Sequence, residues 1–87
     1  MRTRVLKLVA AFSETTDAIE AEAYFQEHGI EGRMIPLPGS ISAGCGLAWS
    51  ASLEQRPILE NLIQEQKIKV QGIYEIQLFE RKERGNI

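Results

Sequence analysis

Hydrophobic and polar positions change their spacing along this chain, and each change marks an element. Arg4 to Phe12 is an apolar run rich in Val and Leu, which predicts a first strand. Lys7 marks its more exposed face and leaves Leu6, Leu8, Ala10 and Phe12 for the core. The period then lengthens. Ala18, Ala21, Tyr24 and Phe25 share one face of a helix that starts within Ser13–Thr16, where several capping residues compete. That helix runs to about His28, and Gly29 is suited to the left-handed residue that ends it.

Gly32 to Leu37 predicts a short second strand, placed at a sheet edge because Pro36 has no amide to donate. Leu47, Trp49 and Ala51 alternate with Ala48, Ser50 and Ser52, the pattern of a half-buried third strand. Ser52 and Gln55 have capping-box spacing, while Pro57 allows a later start for the helix that follows. Ile58, Leu59, Leu62 and Ile63 form its apolar stripe, which fades near Lys67. Gly72 to Arg81 is the last strand, with Tyr74, Ile76 and Leu78 on one face and Glu75 and Gln77 on the other. The charged tail after Arg81 carries no such pattern and is expected to fray.

The order βαββαβ predicts an α+β, ferredoxin-like sandwich: a four-stranded antiparallel sheet in order 4-1-3-2 with two helices on one face. Eighty-seven residues suffice for a single domain spanning 1–87 and its one core. The uncovered sheet face would carry Val5, Val9 and Ala11 with Ile73 and Phe79, an apolar patch suited to a homodimer or another partner.

A net charge of −2 provides no basic field, so nucleic acid is not an expected partner. There is neither a signal-peptide pattern nor an apolar run long enough to span a membrane. The one cysteine rules out an internal disulfide and suits a reducing cytoplasm.

That cysteine is the main candidate for chemistry. Cys45 lies between Gly44 and Gly46, in a turn-rich segment that leads straight into the third strand. Core-filling cysteines usually occur inside periodic apolar runs, whereas a loop–strand junction displays a group on a rigid support. The competing reading is an inert thiol in a tight turn. Ser40 and Ser42 either bond the sulfur or satisfy loop amides. In the predicted topology the loop shares its end of the sheet with both helix C-termini and with Arg2, Arg4, Arg81, Lys82 and Arg84. That arrangement also makes a Cys45–His28 pair conceivable, although an exposed helix-end histidine is the commoner case. Trp49 is read as core, with a role as an apolar wall beside the cysteine compatible with that.

Arg33-Met34-Ile35-Pro36-Leu37-Pro38 followed by Ile41-Ser42-Ala43-Gly44-Cys45-Gly46-Leu47-Ala48 resembles the signature of the DUF3343 family of selenium/sulfur carrier-like proteins. The similarity extends to Ala18-Ile19-Glu20-Ala21-Glu22, His28-Gly29-Ile30 and Gly72-Ile73-Tyr74-Glu75-Ile76, and so covers nearly the whole chain. It implies a non-enzymatic carrier in which Cys45 holds a terminal sulfur or selenium atom as a persulfide or perselenide. Pro38, Ser42, Gly44 and Gly46 would support the loop, and the partners would be donor and acceptor proteins. The alternative is a small interaction or redox-sensing module, for which the loop is a docking turn.

No cofactor is expected, and one Cys with one His cannot supply the three or four ligands of a zinc site. Cys-x-x-Cys, phosphate-loop and catalytic-triad patterns do not occur.

Overall fold

The computed structural model describes residues 2–81, with side chains placed over 4–78. Its elements run β1 (Arg2–Ala11), α1 (Thr15–Glu27), β2 (Arg33–Pro36), β3 (Leu47–Ala51), a 3-10 turn (Leu53–Gln55), α2 (Arg56–Gln64) and β4 (Gly72–Arg81). The sheet is antiparallel throughout and ordered β2-β3-β1-β4, the arrangement expected of a ferredoxin-like fold.

Alternation within the strands sorts side chains to two faces, and each face has its own core. Leu8, Ala10 and Phe12 of β1 join Trp49 and Ala51 of β3 under Ala18, Ala21 and Phe25 of α1 and Leu59 and Leu62 of α2. Phe25 lies against the Trp49 indole, ring centroids 4.5 Å apart. Leu6 has the same parity but is 41 % exposed, because β1 runs on past the helices that cover its other half.

The opposite face is not open along its whole length. Val9 and Ala11 are fully buried there, joined by Ala48, and the residue that covers them is Ile41 from the connection between β2 and β3. Leu37 and Ala43 from the same connection pack alongside, as do Tyr74, Ile76 and Leu78 of β4. The apolar patch expected from the sequence is therefore reshaped. Val9 and Ala11 are plugged by the loop, and Ile73 turns to the helix side, opposite Ala10. The side chain of Phe79 lies outside the described residues.

Helix starts are plain. Glu14 is the N-cap of α1 and makes no side-chain capping bond, so none of the hydroxyls in Ser13–Thr16 fills that role. No capping box forms at Ser52 either; the 3-10 turn comes first and Pro57 sits within the opening turn of α2. Gly29 takes a φ of 65° where α1 ends. Of the second helical stripe, Leu59 and Leu62 are buried and Ile58 is exposed.

Candidate functional site

Register determines what surrounds Cys45. Ala11 at the end of β1 lies opposite Ala48 near the start of β3 and opposite Gly72 at the start of β4, while Pro36 at the end of β2 lies opposite Leu47. The cysteine loop therefore shares its end of the sheet with the N-terminus of α1 and the segment following α2. The expected neighbours were the start of β1, the end of β4 and both helix C-termini, and this is corrected in part. Arg2 pairs with Arg81 at the far end of the β1–β4 ladder, and Arg4 is nearby in register. In an antiparallel pair the end of one strand meets the start of the other, which separates the start of β1 and the end of β4 from this loop. Lys82 and Arg84 lie outside the described residues.

The loop is held on both faces of the sheet. Ile41 N–H donates to the Pro38 carbonyl at 3.0 Å, closing a turn that seats the Ile41 side chain over Val9 and Ala11. Leu37 N–H donates to the Gly46 carbonyl at 2.9 Å and carries the β2–β3 ladder one step into the connection. Leu37, Ile41 and Ala43 pack on the face away from the helices, whereas Cys45 and Leu47 pack against the helix-side core. The chain thus changes face between Ala43 and Cys45.

Gly44 is the crossing point. A Cβ there would run into the backbone carbonyl oxygen of Ser13, so the strand-to-helix turn leaves room for the bare backbone only. Gly46 has a different reason to be glycine: its φ is 77° and the space around it is open, so conformation rather than crowding selects it.

Cys45 itself is half-buried and unpaired by any disulfide. Its Sγ accepts a hydrogen bond from Leu47 N–H at 3.3 Å, and the thiol faces the Leu47 carbonyl at 3.7 Å. A sulfur that loses its proton keeps the first contact and gives up the second. Ser42 is exposed, and among the described residues it makes no hydrogen bond to the sulfur. The first turn of α1, without a side-chain cap, begins two residues beyond Ser13, on which the loop rests. Its free N–H groups and the positive end of its dipole belong to the cysteine's end of the molecule.

His28 is elsewhere. It caps the far end of a 13-residue helix, about 20 Å from where that helix begins. There its Nδ1–H donates to the Tyr24 carbonyl at 2.9 Å and its ring stacks on Tyr24 at 3.9 Å, so no Cys45–His28 pair exists. Trp49 is a core residue, 2 % exposed, and its indole nitrogen lies against Gly32, away from the loop. That nitrogen has no hydrogen-bond partner among the described residues. Among the same residues no three His, Cys, Asp or Glu side chains cluster as a metal site would require, and no helix is long and apolar enough to cross a membrane.

Ile41 and Ser13 are the parts of the site that residue reading did not single out. The signal for Ile41 was present, as a lone branched apolar residue inside a polar, turn-rich loop. Ser13 acts through its backbone carbonyl, which leaves no trace in side-chain chemistry.

A family model described as "Putative Se/S carrier protein-like" matches residues 7–75, a span that holds both helices, β2, β3, the whole cysteine loop and parts of β1 and β4. The chain belongs to this family. No curated protein and no solved structure matches it. Within the Se/S carrier-like family match, Cys45 is the chain's sole thiol, so any chalcogen carried on a cysteine sulfur must be carried there.

Proposed function

We propose that this protein is a chalcogen carrier without catalytic activity of its own, loaded and unloaded at Cys45 by partner proteins in a reducing cytoplasm. Loading is a sulfane transfer. The Cys45 thiolate attacks the outer sulfur of a persulfide on the donor protein. A new S–S bond forms, the donor's S–S bond breaks, and the donor cysteine leaves as a thiolate with the electron pair. Cys45 becomes Cys–S–S⁻, or Cys–S–Se⁻ from a donor perselenide, with no net oxidation. Delivery repeats the exchange, with the acceptor's nucleophile taking the outer atom and Cys45 leaving as thiolate.

The observation that carries this reading is the family match across a chain with one cysteine. A second thiol in the chain would attack the inner sulfur and discharge the cargo. Three features of the loop support it. Pro38 and Ile41 anchor the segment, Gly44 lets it cross the end of the sheet, and the Leu47 N–H remains as a donor to the sulfur. The uncapped start of α1 adds partial positive charge at the end where the loaded group would be anionic. Ser42, exposed in the same loop as Cys45, would belong to the surface that a donor or acceptor contacts.

Intact-mass measurement after incubation with a small-molecule persulfide, and separately with a perselenide, tests the proposal. The expected result is a gain of one chalcogen atom, reversed by a thiol reductant and absent in Cys45→Ser. A wild-type protein that gains nothing from either donor overturns it.

A further inference from the structure

The two edges of the sheet are built unlike each other. β2 is four residues long and ends in Pro36, the features by which natural edges discourage further pairing. β4 is ten residues long, without proline, and its register with β1 is unbroken from Arg2↔Arg81 to Ala11↔Gly72. Its outer side is a continuous row of backbone donors and acceptors.

β3 reaches β1 only at Leu8–Ala11. Residues 2–7 and 76–81 therefore form a two-stranded ribbon running past the rest of the sheet, with Leu6 exposed on it. Two-stranded ribbons are marginal in water and gain stability from a third strand.

We propose that the outer edge of β4 pairs antiparallel with the same edge of a second copy, joining two sheets into one of eight strands. A two-fold axis perpendicular to the sheet keeps the helices on one side and sets residues of like parity opposite each other. An axis at Glu75 would oppose two carboxylates, and an axis at Tyr74 would set Glu75 against Ile73. With the axis at Ile76, Ile76 meets Ile76 and Tyr74 meets Leu78 on one face, while Glu75 meets Gln77 on the other. Tyr74, Ile76 and Leu78 are each half-buried in the single chain, so apolar surface remains for a partner to cover. In this register the ribbon half of each β4 lies beside the partner's residues 72–76, the half backed by the full sheet. Each copy supplies the strand that the other's ribbon lacks.

Sedimentation equilibrium from low to high micromolar protein is the test, with Ile76→Lys placing two ammonium groups opposite each other at the axis. A reversible dimer is expected, weakened at least about tenfold by that change. A second readout uses Ile76→Cys in a Cys45→Ser background with oxidised glutathione. Two thiols on facing chains become one disulfide as glutathione disulfide is reduced to two thiols, and Cα atoms about 4.5–5.5 Å apart in an antiparallel pair permit the bond. Gln77→Cys in the same background faces Glu75 and should cross-link far more slowly. If Ile76→Lys fails to fold, the cross-linking contrast decides. A protein that stays monomeric at high micromolar concentration overturns the proposal. So does a dimer indifferent to a folded Ile76→Lys, or equal cross-linking at positions 76 and 77.

Discussion

The two faces of the sheet draw on the same strands but are covered by different means. On one, two helices lay Phe25, Leu59 and Leu62 over Leu8, Ala10 and Trp49. On the other, a connection of ten residues lowers Ile41 onto Val9, Ala11 and Ala48. The helical face gains rigidity from many residues sharing the burial. The loop face depends on one plug, and the segment that supplies it also carries Cys45. Stability and the placement of the thiol are thus coupled on both faces: the second pins the loop through Ile41, and the first receives the Cys45 side chain itself.

Truncating the plug of each face tests this directly. Phe25→Ala should cost about 3–5 kcal/mol in chemical denaturation, the range for an aromatic lost from a packed core. Ile41→Ala should cost less, about 2–3 kcal/mol. Ile41→Ala should nevertheless change the rate at which the folded protein's Cys45 is alkylated, because Ile41 pins the segment that carries it. Equal alkylation rates in wild type and Ile41→Ala would dissolve the proposed coupling.

The two glycines beside the cysteine sharpen the point. Gly44→Ala forces a methyl group against the Ser13 backbone and should cost about 2–3 kcal/mol, an overpacking effect with nothing flexible to yield. Gly46→Ala meets open space and loses only the left-handed conformation, about 1–2 kcal/mol. The reverse ranking in urea titrations would mean that the Ser13 contact does not constrain the loop.

Cys45→Ser should be the mildest change, below about 1 kcal/mol, because a hydroxyl still accepts from Leu47 N–H. A loss above about 2 kcal/mol would make the cysteine a packing residue first.

Much of the fold was legible along the chain. Residues 72–81 matched the last strand at both ends, and the strand that holds Pro36 is at a sheet edge as expected, although it stops at Pro36 and not at Leu37. The first helix and the 4-1-3-2 strand order also came from periodicity and element order, because these are local patterns joined by short connections. Cys45, Gly44 and Gly46 stood out by their local sequence, and the structure places them in the connection between β2 and β3. Leu6 did not behave as its parity suggested, since alternation names a face but not whether anything covers it.

What the sequence determined by itself was the set of elements, their order and the position of its one cysteine. Only the tertiary structure decided the surroundings of that residue. Antiparallel register put the start of α1, and not Arg2 and Arg81, at the loop's end of the sheet, and it sent His28 to the opposite end. It also revealed that Ile41 closes a face left open by the helices, and that Gly44 yields to a carbonyl 31 positions earlier in the chain. Both are contacts between segments distant in sequence. No local periodicity encodes them, because they exist only after the sheet has brought β1 and the loop together.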